Sequence, residues 1–129
     1  MIALALAGAV VAEPTDFDAF AKAVDKCDRT AIAKTVTDSV ERHGRFLIDG
    51  YKEQQAIAQT RADVAERRRK LRSGERTGDT DAALNLVAEA ANDRQRALDD
   101  SRVLDRLEQE MVTHYRQQFL THCAGRPAA

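Results

Sequence analysis

The chain has no tryptophan, and aromatic residues make up only 5% of it. It has two prolines, Pro14 and Pro127, so residues 15 to 126 contain none. It has two cysteines and a formal net charge of −1. Each scarcity excludes something. Few aromatics leave no stacking platform for single-stranded nucleic acid, and a balanced charge gives the whole molecule no attraction for a polyanion. Without internal proline, nothing forces a break across the middle of the chain. Two cysteines without a CxxC or CxxCH spacing lack the signatures of thioredoxin-like redox chemistry and of haem attachment. Alanine supplies 23 of the 56 apolar residues, against 10 Leu, 9 Val and 4 Ile, which argues against a thick globular core.

What remains reads as helix. Ala, Arg, Asp, Glu, Gln and Leu dominate a 129-residue chain that is 32% charged, enough for one domain. Thr15-Asp16-Phe17-Asp18 is a start signal, with Thr15 as the cap. Apolar positions then recur at Phe17, Phe20, Val24, Cys27 and Ala31, and the stripe continues at Ile32, Val36, Val40, His43, Leu47 and Tyr51, with three- and four-residue spacings. Arg67, Arg68, Arg69, Lys70 and Arg72 crowd the end of this stretch, followed by Ser73-Gly74 as terminator. The spacing predicts one helix over about 16–72, a loop over 73–79 and a second helix over about 80–123. Asp79 or Thr80 would cap the second helix. Gly44 and Gly50 offer a point at which the first helix could kink or break, giving three helices.

The midpoint between Cys27 and Cys123 falls inside the loop. An antiparallel fold-back there brings the two sulfurs together at the end of arms ~70 Å long. Facing residues in such a hairpin share a constant number sum. Val64/Val87, Leu47/Leu104, Val40/Met111, Val36/Tyr115 and Ile32/Phe119 share one sum. Arg61/Glu89, Arg69/Asp81, Arg45/Asp105 and Arg42/Glu108 share a sum one lower, as do the cysteines. The expected architecture is therefore all-α: a long, coiled-coil-like antiparallel helical hairpin over residues 13–129, closed by a Cys27–Cys123 disulfide. Closing a loop of that length stabilises by about 4–5 kcal/mol in the chain-entropy model.

Residues 1–12, MIALALAGAVVA, are apolar, uncharged and end in small residues before Glu13-Pro14. They match the apolar region and cleavage site of a secretory signal peptide, although no Lys or Arg precedes them. Together with the cysteine pair they point to export, periplasmic in a Gram-negative cell and secreted otherwise.

No catalytic constellation stands out, and no cofactor or metal site is expected. His43, His114 and His122 are too scattered to share an ion. There is no nucleophile elbow and no phosphate-binding glycine loop. The cluster Arg67, Arg68, Arg69, Lys70 and Arg72 is the candidate contact for an anionic envelope surface or an acidic partner. Acidic residues of the second arm offset its field, since 79–110 carries nine acidic against four basic residues. Phe17, Phe20 and Phe46 are candidate apolar contacts for a partner protein or a second copy of the chain. The expected role is non-enzymatic, through protein–protein or envelope-surface contacts, with no nucleic acid.

One alternative comes from a resemblance. Arg45-Phe46-Leu47-Ile48-Asp49, then Arg61, then Lys70 or Arg72, and later Gln117 and Gln118, resemble the spaced Arg, Lys and Gln pattern of the small helical chorismate mutases. The likeness covers about thirty residues and lacks that family's Asp…Arg-Glu element. It implies a small all-helical enzyme holding an anionic substrate through Arg45, Arg61, Arg69 and Arg72.

Overall fold

The computed structural model describes residues 15–125. These residues are all-α, with α1 over Phe17–Asp25, α2 over Arg29–Arg72 and α3 over Asp81–His122. Residues 1–12, the expected signal peptide, lie outside the described residues. Each helix start has a side-chain cap. Asp16 accepts from the Ala19 amide at 3.0 Å, Asp28 from Ala31 at 3.1 Å, and the Thr80 hydroxyl from Ala83 at 3.1 Å. Thr15 is thus not the first cap, and Thr80 rather than Asp79 caps α3.

The long first helix is broken, but not at the glycines. α2 runs unbroken through Gly44 and Gly50, and the break falls at Lys26–Asp28 instead. The cause is a Schellman turn. The Asp28 amide donates to the Ala23 carbonyl at 3.0 Å and the Cys27 amide to the Val24 carbonyl at 3.1 Å. Cys27 occupies the left-handed position of this turn, at φ 53°, where glycine is usual. The same turn ends α2, with Glu75 donating to Lys70, Gly74 to Leu71, and Gly74 at φ 83°. Gly74 announces its turn in the sequence. Cys27 does not, so one helix over 16–72 was the expectation and two helices are the result.

The described chain forms two compact units, one holding residues 48–100 and the other residues 15–47 and 101–125. In the first, α2 and α3 run antiparallel, as Glu53–Arg94, Gln54–Gln95 and Arg68–Asn85 contacts show. Its buried positions are Gly50, Ile57, Val64, Leu84, Ala91 and Leu98. Ile57, Val64 and Leu84 are at most 3% exposed. Gly50 faces Leu98 of α3, and a Cβ there would meet Leu98 Cδ1 at 3.7 Å, an ordinary van der Waals contact.

In the second unit α2 and α3 also run antiparallel, and α1 joins them. The core gathers Phe20, Ala23, Val24, Cys27, Ile32, Val112, Phe119 and Cys123, with Phe17, Ala31, Val36 and Tyr115 packed against it. The Tyr115 ring stacks on Phe17 at 5.9 Å and meets Phe20 at 5.6 Å. The Cys27–Cys123 disulfide is present, with Cα atoms 5.6 Å apart and 96 residues of separation. Phe20 and Phe46 are buried and Phe17 is half-buried, so these aromatics belong to the interior and are not free contact faces. Burying them is what lets so alanine-rich a seam hold together.

Candidate functional site

The seam of the second unit follows heptad spacing. Ile32, Val36, Ser39, His43 and Phe46 of α2 step by four and three residues, and each is buried or half-buried. Asp105, Glu108, Val112, Tyr115 and Phe119 of α3 do the same. The α2 stripe is apolar at both ends and polar between them, at Ser39 and His43, and the α3 stripe is polar at one end, so that Ser39, His43, Asp105 and Glu108 stand where a coiled coil would place aliphatic side chains.

These polar groups are largely satisfied by one another. The His43 Nδ1 lies 2.7 Å from Asp105 Oδ2. Arg42 Nη2 donates to Glu108 Oε1 at 3.1 Å and to the Thr15 hydroxyl at 2.6 Å. The Thr15 amide donates to the same Glu108 oxygen at 3.0 Å, and its hydroxyl also donates there. Gln109 Nε2 donates to Ser39 Oγ at 3.3 Å. Glu108 thereby ties Thr15, two residues before α1, to both long helices. Among the described residues, the buried side-chain atoms Arg42 Nε and Asp105 Oδ1 have no hydrogen-bond partner. Asp105 is 6% exposed and Glu108 8%, so these carboxylates depend on their partners rather than on water.

The chemistry available here is limited. Ser39, His43 and Asp105 carry the residue types of a charge-relay triad, and Asp105 does orient the imidazole. Ser39, however, is fully enclosed and accepts from Gln109, so its hydroxyl is out of a substrate's reach. The arrangement fixes how helices meet.

Polar occupancy of the seam turns apolar side chains outward. Val40 is 62% exposed, Leu47 56%, Leu104 67% and Met111 41%. The number sum pairs Leu47 with Leu104 and Val40 with Met111 inside the seam, whereas all four lie outside it. The register was close, but one residue of phase is about 100° of rotation. Val40 and Leu47 each follow a seam position by one, and Leu104 and Met111 each precede one. Of the other couples, Ile32 and Phe119 are buried together and Val36 and Tyr115 pack on the same core. Val64 is buried and Val87 half-buried. Of the expected ion pairs, Arg42–Glu108 forms. Asp105 takes His43 in place of Arg45, Arg61 donates to Asn92 and Gln95, and Arg69 donates to Glu66. Val103 and Leu107 are exposed as well. Nothing in an apolar periodicity distinguishes a seam residue from its outward neighbour.

Two cations of the basic cluster, Arg67 and Arg69, are paired with carboxylates of their own unit. Arg67 donates to Asp79 at 3.1 and 2.5 Å and to Asp63 at 3.4 Å. Arg68 donates to Asn85 at 2.6 Å, and Arg69 to Glu66 at 3.0 and 2.7 Å. The hydrogen bond from Arg67 holds the Asp79 carboxyl below its ordinary range, and that from Arg69 does the same for Glu66. Lys70 is half-buried and Arg72 exposed. Arg45, Arg61, Arg69 and Arg72 are all exposed, Arg45 in the second unit and the other three in the first. Among the described residues no helix is long and apolar enough to cross a membrane. No family model, curated protein or solved structure matches this chain.

Proposed function

We propose that this is an exported, non-enzymatic protein, a coiled-coil-like helical hairpin that acts by binding another protein through its outward-facing aliphatic side chains. One observation carries the reading. Val40, Leu47, Val103, Leu104, Leu107 and Met111 of a single compact unit are 41–67% exposed, while Ser39, His43, Asp105 and Glu108 hold buried or half-buried seam positions beside them. The polar seam is specific without being strongly stabilising, and leaving these six side chains outside is what it achieves. Export is supported by the apolar leader and by a disulfide, a bond that persists in oxidising compartments. In a Gram-negative cell the compartment would be the periplasm. An anionic envelope surface is the weaker contact, because three of its five candidate cations have partners of their own.

The test compares the tagged full chain with its Leu104→Gln/Leu107→Gln variant, both expressed in the native cell and cross-linked before recovery. The reading expects a stoichiometric partner, or a second copy of the chain, with the wild type and its loss with the variant. It also expects a mature mass starting near Glu13. A partner retained unchanged by the variant would overturn the contact face, and an uncleaved cytosolic chain would overturn the export.

A further inference from the structure

Three metal-ligating side chains meet at one corner of the second unit. Cys27 lies in the turn between α1 and α2, Cys123 directly follows α3, and His122 is the last residue of α3. Both sulfurs and a ring nitrogen of His122 lie within 4.8 Å of one another. While the disulfide stands, the sulfurs are bonded to each other and cannot act as thiolates. We propose that reduction of the disulfide converts this corner into a Cys2His site for a divalent cation of the zinc class.

The steps balance. A dithiol reductant delivers two electrons and two protons, is itself oxidised to a disulfide, and leaves Cys27 and Cys123 as thiols. The cation then displaces one proton from each thiol and takes the neutral His122 nitrogen. Two metal–sulfur bonds and one metal–nitrogen bond form, and two protons leave to solvent.

Geometry and charge both favour this. Tetrahedral zinc holds sulfur at ~2.3 Å and imidazole nitrogen at ~2.0–2.1 Å, which sets neighbouring donors roughly 3.3–3.8 Å apart. Donors already inside 4.8 Å reach that spacing by side-chain adjustment, and the 5.6 Å between the cysteine Cα atoms leaves room for it. Cys27 and Cys123 are buried among Phe20, Val24, Ile32 and Phe119, a poor medium for two bare thiolates. A divalent cation with two thiolates and a neutral imidazole carries no net charge and suits that medium. Access is from one side. His122 is exposed and lines a groove with Asp25, His114 and Thr121, from which water would complete the fourth position. The cation would hold the helix ends that the disulfide holds, so the corner stays tied in either redox state.

The test uses the full chain, oxidised and after reduction with a phosphine, titrated with Co2+ as the spectroscopic probe and then with Zn2+. The reduced protein is expected to bind one Co2+ per chain with a thiolate charge-transfer band that Zn2+ abolishes. Binding to the oxidised protein should be at least ~100-fold weaker, and to reduced His122→Ala at least ~10-fold weaker. If reduction loosens the helices, Zn2+ should restore helical circular dichroism in the wild type more than in His122→Ala. Equal binding by oxidised and reduced protein, an unaffected His122→Ala, or a reduced chain that neither binds cobalt nor regains helix would each overturn the proposal.

Discussion

Cysteine in a glycine position gives the sharpest quantitative test of the α1–α2 turn. Cys27 has φ 53° and is 7% exposed, and its sulfur is bonded to Cys123 across 96 residues. In the chain-entropy model a link of that span is worth about 4–5 kcal/mol, which Cys123→Ala should forfeit. The backbone contributes separately. A side chain with a Cβ in the left-handed region costs ~1–2 kcal/mol, and glycine does not incur it. In the Cys123→Ala background, Cys27→Gly should therefore be more stable than Cys27→Ala by about 1 kcal/mol. Both substitutions remove the same sulfur, so the difference isolates the backbone. Urea unfolding followed by circular dichroism reads all three variants. Equal stability of the glycine and alanine variants, or an alanine variant that is the more stable, would refute a left-handed residue 27. A cost below ~1 kcal/mol for Cys123→Ala would refute the disulfide as the tie closing this unit.

Other consequences follow from single contacts. His43→Ala takes a hydrogen-bond partner from the buried Asp105 and should cost about 1–3 kcal/mol, whereas His43→Leu/Asp105→Leu should recover most of it, both read by urea unfolding. Ile57, 0% exposed, should cost about 2–5 kcal/mol as Ile57→Ala. Gly44→Ala meets nothing within 4 Å and should raise stability by ~0.5–1 kcal/mol, while Gly74→Ala, at φ 83°, should lower it. Asp79 is held below its ordinary range by Arg67, so the tie between them is present at neutral pH and is lost as pH falls through that lowered value. NMR titration of the Asp79 carboxyl should show it returning upward in Arg67→Gln.

Much of this structure is legible in the sequence, and the failures have physical causes. The Thr80 cap, the Gly74 turn and the all-helical class follow from residue chemistry within a few positions of each other, whereas the first cap is Asp16 and not the expected Thr15. The disulfide and Arg42–Glu108 follow from the constant number sum, because that sum fixes how far two helices have slid past each other. It does not fix their rotation about their own axes. Apolar preference chose Val40, Leu47, Leu104 and Met111 for the seam, and Ser39, His43, Asp105 and Glu108 occupy it. They can do so because Thr15 and Arg42 complete the hydrogen bonding of Glu108, a contribution from distant residues that no local pattern announces. The helix break at Cys27 was hidden for a similar reason, since a cysteine does duty where glycine would have been read as a stop.

The outward rotation of the apolar residues is tested most directly by the stability of Leu104→Gln/Met111→Gln in urea. Side chains 67% and 41% exposed should give a change within about 0.5 kcal/mol for each substitution. A loss of ~2–5 kcal/mol at each position, as for a buried aliphatic side chain, would place them inside the seam and contradict the account.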